Sequence, residues 1–193
     1  ASSSTFPGVV IKNLKVEDSY APAYSGVNPI GGTTPITGCE SGEDACSGGA
    51  VANEGMLYLR YVMLETSASQ GNGNAVLNTS QGELILHGSV LKGNIDQLGH
   101  GGGVVNSGIL SVQYSTLDRN ESDVSGGISN FGGDVDIINS TFHANASAWG
   151  GSALDNSSDG TINVWFTTIS ENDSMNTDAA VFSDSGQVTF MNS

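Results

Sequence analysis

The chain of 193 residues sets five Lys and Arg against 20 acids, a formal net charge of −15, and spends 27 positions on glycine. With no basic patch to neutralise phosphates, nucleic acid is excluded as a partner and anionic membrane surfaces are poor ones. No apolar run approaches the ~18 residues that a membrane-crossing helix needs, so no membrane span is expected. The length suits one elongated domain over residues 1–193.

The chain opens Ala1-Ser2-Ser3-Ser4-Thr5, which reads as a mature start rather than a signal peptide. Residues 8–20 look like half of a repeat unit: Val10, Ile11, Lys12 and Asn13 resemble Ile137-Ile138-Asn139, with Leu14 and Val16 following. Over residues 21–47, Pro22, Pro29, Pro35 and many Gly, Ser and Thr mark a loop or cap inserted in the first unit. The only two cysteines, Cys39 and Cys46, lie in it. No further Cys or His stands close enough for a metal site, so a local disulfide is expected, and with it an oxidising, extracytoplasmic home. Two free thiols in a cytosolic loop are the alternative.

Residues 48–193 are regular coils. Each unit opens on a Gly-rich fragment: Gly48-Gly49-Ala50-Val51, Gly73-Asn74-Ala75-Val76, Gly101-Gly102-Gly103-Val104, Gly126-Gly127-Ile128 and Gly150-Gly151-Ser152-Ala153, with a degenerate copy at Ala179-Ala180-Val181-Phe182. Starts at 48, 73, 101, 126, 150 and 179 are 24 to 29 residues apart, a period that means a solenoid of stacked units. Number each unit from the single Gly before its main strand: Gly55, Gly82, Gly108, Gly133, Gly160 and Gly186. Positions two, four and nine are then apolar, as in Leu110, Val112 and Leu117, and the alternation has the period of a half-buried strand. β-Branched runs such as Gly160-Thr161-Ile162-Asn163-Val164 exclude a helical repeat.

Position seven is Ser or Thr in every unit but the first, where Val62 stands. Position twelve is Asn94, Asn120, Asn145 and Asn172. An Asn tolerates a left-handed backbone, and its amide can bond the same amide one coil away, so these four are expected to be a corner ladder. The fold expected is all-β, a right-handed parallel β-helix of about six coils. Fully burying one Leu or Ile contributes about 1.5–3 kcal/mol, against about 1–2 kcal/mol to order each residue's backbone. A single coil therefore cannot stand alone. Both ends fall in mid-coil without a capping helix, so head-to-tail pairing from Ser193 to around Val9–Val16 of another copy is expected.

Phe142-His143-Ala144-Asn145, and with an aliphatic residue in place of Phe, Leu91-Lys92-Gly93-Asn94, Leu117-Asp118-Arg119-Asn120 and Ile169-Ser170-Glu171-Asn172, recur with the Gly-Gly openers. Together they resemble the Gly-Gly-Ala-Ile and Phe-x-x-Asn repeats of polymorphic outer-membrane autotransporters, bacterial surface proteins of the pectin-lyase-like fold. The resemblance covers about residues 48–193. It implies a secreted or surface-displayed passenger with adhesive or structural work.

Catalytic signatures are weaker. Gly99-His100-Gly101 resembles a polygalacturonase motif, but Asn176-Thr177-Asp178 follows the His instead of preceding it, and there is no Asp-Asp pair. An inverting hydrolase needs its acid and base around the bond, so the reading here is an incidental His in a Gly-rich loop. A Ca²⁺-dependent lyase needs a basic residue near its carboxylates. Arg60, Lys92 and Arg119 stand at different positions of the repeat.

Ca²⁺ binding without catalysis is a further candidate. Asp134 and Asp136 lie two apart on one strand face, and Glu121 and Asp123 share a corner loop; Ca²⁺ collects about six to eight such oxygens. A solvated acidic face is the plainer reading. Outward Tyr114, Trp165 and Phe166 can stack on sugar rings or pack on a neighbouring chain, and such patches more often mark a protein contact than a catalytic site. The reading overall is a secreted or cell-surface, non-catalytic structural or adhesive module, bacterial in origin. Its partners are further copies, other surface proteins or polysaccharide. A polysaccharide-active lyase or hydrolase is the alternative.

Overall fold

The computed structural model describes residues 9–12, 14–17, 20–21, 50–69, 75–96, 99–177 and 179–193. Cys39, Cys46 and nearly all of the 21–47 insertion lie outside the described residues. Every described strand pairs in parallel with its equivalent one coil away, and they form four sheets. The chain is a parallel β-solenoid.

One coil shows the plan. Strand Val104–Asn106 belongs to sheet D, Ile109–Gln113 to sheet A, Thr116–Asp118 to sheet B and Glu121–Ser122 to sheet C. Five successive coils carry all four strands, from Val51–Asn53 to Asp173–Ser174. Before them stand three strands, Val9–Lys12, Lys15–Glu17 and Tyr20–Ala21, and after them two, Val181–Ser183 and Gln187–Met191.

The register matches the repeat numbering. Leu57, Leu84, Leu110, Val135 and Ile162 stack at position two of sheet A, and Leu59, Leu86, Val112, Ile137 and Val164 at position four. All ten are buried, as are Leu64, Leu91, Leu117 and Phe142 at position nine of sheet B. Sheet D closes the core with Val76, Val104, Ile128 and Leu154. Alternation puts every second side chain inside, and the coil-to-coil stack removes it from water.

Glycine serves close approach between coils. A Cβ on Gly127 would collide with the Ala153 carbonyl one coil on, and one on Gly133 with the Gly108 carbonyl one coil back. These backbones pass too near for any side chain.

The turns correct one expectation. The left-handed residue at the second corner is position eleven, not the Asn at twelve: Thr66, Arg119, Ala144 and Glu171 have φ of 53°, 53°, 52° and 57°, and Gly93 has 60°. Position six turns the first corner in the same way, with Tyr61, Gly88, Tyr114, Asn139, Phe166 and Asn192 at φ of 48° to 58°. The Asn needs an ordinary backbone because its amide must point inward.

Each corner reverses the direction of the hydrogen bonds. Tyr61 N–H donates forward to the His87 carbonyl, whereas Val90 N–H donates back to the Val62 carbonyl. The N–H between the two has no backbone carbonyl to meet. At position seven it is met by the hydroxyl one coil on: Ser89 N–H donates to Ser115 Oγ at 3.1 Å, and Ser115 N–H to Ser140 Oγ at 3.2 Å. At position twelve an Asn amide does this, with Asn94 N–H on Asn120 Oδ1 at 3.1 Å and Asn120 N–H on Asn145 Oδ1 at 3.0 Å.

Candidate binding surface

Two internal ladders hold the scaffold. Along the B–C corner, Asn94 Nδ2 donates to Asn120 Oδ1 at 2.8 Å, Asn120 to Asn145 at 3.0 Å and Asn145 to Asn172 at 2.9 Å. A second ladder runs along the end of sheet D, where Asn53, Asn78, Asn106, Asn130 and Asn156 are linked by amide bonds of 2.7 to 2.8 Å. Sequence reasoning missed this one. All five Asn are buried, and each also ties down the carbonyl of its zero-position Gly.

The A–B corner is the surface these ladders present. Its outermost residue in alternate coils is aromatic: Tyr61, Tyr114 and Phe166, which are 52%, 59% and 57% exposed. Left-handed φ in a bulky residue costs about 1–2 kcal/mol relative to a right-handed one, and here it aims each ring off the corner. The coils between carry Gly88 and Asn139 at that position. The Tyr61 ring leans over Gly88, where a Cβ would strike it. His87 lies between two of the rings, with centroids 5.9 Å from Tyr61 and 5.4 Å from Tyr114, both edge-on. The Arg60 guanidinium sits 4.9 Å from the Tyr61 centroid and donates to its hydroxyl at 3.5 Å. Trp165, on sheet A beside Phe166, is half-buried.

The charge pattern of this corner differs from the rest of the chain. None of the side chains at positions five, six and eight is acidic in any described coil. The acids begin one step away on both sides, with Asp134 and Asp136 on sheet A and Glu65, Asp118 and Glu171 toward the B–C corner.

The two carboxylate pairs named from sequence lie on different sheets and do not converge. Asp134 and Asp136 are exposed on sheet A, where they accept hydrogen bonds from Thr161 Oγ1 at 2.6 Å and Asn163 Nδ2 at 3.1 Å. Glu121 and Asp123 lie on the sheet C side, lining an open cleft of about 270 Å³ with Ala146, Ala148 and Met175. Among the described residues no group of three or more His, Cys, Asp or Glu is arranged to hold a metal ion.

His100 lies near enough to Asp155 of sheet D for each to feel the other's charge. Burial pushes the His100 imidazole below its ordinary value, against the pull of Asp155 and Asp123. Burial likewise raises the Asp155 carboxyl, opposed by hydrogen bonds from the Ser157 hydroxyl and the Gly151 N–H. His100 stacks edge-on against Phe131 at 4.9 Å, and its Nδ1 has no hydrogen-bond partner among the described residues. Ser129 Oγ donates to the His100 carbonyl, which ties this loop to the sheet.

Fold and corner together define a parallel β-solenoid with an aromatic edge. Comparisons with protein-family models, curated proteins and solved structures found no match.

Proposed function

We propose that the chain is a secreted or cell-surface, non-catalytic β-helix that works as a structural or adhesive module. One observation carries the reading: a row of half-exposed aromatic rings stands in an acid-free lane on a protein of net charge −15. Exposed rings repeated along one edge of a solenoid mark a contact surface. The likeness of the repeats to those of polymorphic outer-membrane autotransporters supports an extracellular, bacterial setting. Other surface proteins, polysaccharides and further copies of the chain are the partner classes in question.

The test compares the wild-type chain with a triple variant, Tyr61→Asn, Tyr114→Asn and Phe166→Asn. Asn already occupies the same left-handed position at Asn139 and Asn192, so the corner keeps its backbone. Retention on immobilised bacterial and host cell surfaces should be lost in the variant while its melting temperature holds. Equal retention of both proteins overturns the proposal. Release of reducing ends from polyuronate or neutral glycans would move the chain to the enzyme alternative.

A further inference from the structure

We propose that the A–B corner binds an extended, uncharged, β-linked polysaccharide laid along the solenoid axis, with one ring under every second sugar. The inference rests on the adhesive reading above and names its ligand class.

The period is the first argument. Tyr61, Tyr114 and Phe166 recur every second coil in strict register, since Tyr61, Tyr114 and Phe166 each follow the last residue of a sheet A strand. Strands are about 4.8 Å apart, so the rings repeat at about 9.6 Å. An extended β-linked chain turns each sugar over relative to the last, so the same face returns every second residue at a repeat of this order. The exposed parts of the rings can pack on the axial C–H groups of a pyranose, with the Arg60 guanidinium already over the Tyr61 ring.

Charge is the second argument. A polyuronate or sulfated glycan would run beside the acids that flank the lane, Asp136, Asp118 and Glu65, on a chain of net charge −15, and like charges repel. Among the described residues the lane carries its bases toward the first coils, with Lys12, Arg60 and His87 at position five and Lys15 at position eight. A neutral ligand pays no such penalty. The third argument is hydrogen-bonding capacity beside the rings. Gln113, Asn139 and the row Thr116, Thr141 and Thr168 on sheet B supply donors and acceptors at one-coil intervals. Sugar hydroxyls need both, and an apolar protein interface would not.

The experiment measures binding of the purified chain to cellulose and chitin, and to their soluble oligosaccharides of increasing length, by pull-down and calorimetry. Polygalacturonate serves as the anionic control. Affinity for neutral ligands should rise in steps until the oligosaccharide spans Tyr61 to Phe166, four coil spacings or about 19 Å. Tyr114→Asn should weaken binding of the long ligand by about tenfold, the loss expected for one buried aromatic contact. Binding that ignores ligand length, or that prefers polygalacturonate, overturns the inference. So does failure to bind any neutral glycan. If the triple Asn variant then still loses retention on cell surfaces, the adhesive reading survives with a protein partner. If wild-type and variant are retained alike, both fall together.

Discussion

The two left-handed corners solve one backbone problem with different side chains. At both, the hydrogen-bond direction reverses and a single N–H is left over. At the A–B corner a hydroxyl accepts it, and that hydroxyl then donates within its own coil, as Ser115 Oγ does to the Gln113 carbonyl at 2.8 Å, and in Ser89 and Ser140 also to a carbonyl one coil back. At the B–C corner an amide accepts it and also donates, both to the next amide and to a backbone carbonyl one coil back, as Asn145 does to Asn172 and Leu117. Asn therefore cross-links three coils where Ser links two. Outside, the A–B corner carries rings and the B–C corner carries Thr66, Arg119, Ala144 and Glu171 with no common chemistry. The inner residue is dictated by the fold and the outer one is free. A pattern in the free positions is therefore the one that carries functional information.

The largest effect should come from breaking the amide ladder. Asn120→Leu or Asn145→Leu removes an acceptor from a backbone N–H and from a neighbouring amide, both buried, and should cost about 3 kcal/mol, the upper part of the range for stranded polar groups. Ser115→Ala strands only the Ser89 N–H and should cost about 1 kcal/mol. Urea unfolding followed by circular dichroism measures both. Equal costs would mean that the corners are energetically alike.

A smaller change of opposite sign is expected from Ala144→Gly. The left-handed backbone there is strained for alanine, so glycine should stabilise by up to about 1 kcal/mol, partly offset by its unfolded-state entropy. A loss of stability in thermal melts would show that the corner is not strained.

The smallest effect concerns pH. His143 Nδ1 lies 2.7 Å from Asp118 Oδ1, and this hydrogen bond, with Glu171 nearby, raises the imidazole above 6.5. The folded state thus binds the proton more tightly than the unfolded one. Its contribution is complete below pH 6.5 and lost as pH rises through the raised value. Melting temperatures of wild-type and His143→Gln should converge on the alkaline side of that window. Convergence on the acidic side would reverse the assignment.

The solenoid, its register and the inward apolar positions were legible because they rest on a period that the sequence repeats with little error. The corner Asn series was legible for the same reason, since it keeps a constant distance from the zero-position Gly. The sheet D ladder was not. Its Asn precede that Gly by two residues at Asn53 and Asn106, three at Asn130 and four at Asn78 and Asn156. The turn between them absorbs the difference while the amides stay in line. Which residue of a corner pair takes the left-handed backbone was also hidden, because it depends on where the leftover N–H points. Tyr114, Trp165 and Phe166 were visible as outward residues. The role of Tyr61 emerges only when alternate coils are seen as one row.

The one-way bonds at both corners give the stack a polarity. Every coil satisfies the spare donors of the coil before it and leaves its own for the coil after. A chain folding in the order of its synthesis would extend from a tip that always bears unmet N–H groups on the side where the next turn must land. Each finished turn is thus a template for its successor and not for its predecessor. A damaged ladder residue accordingly harms the turn already laid down before it harms its own.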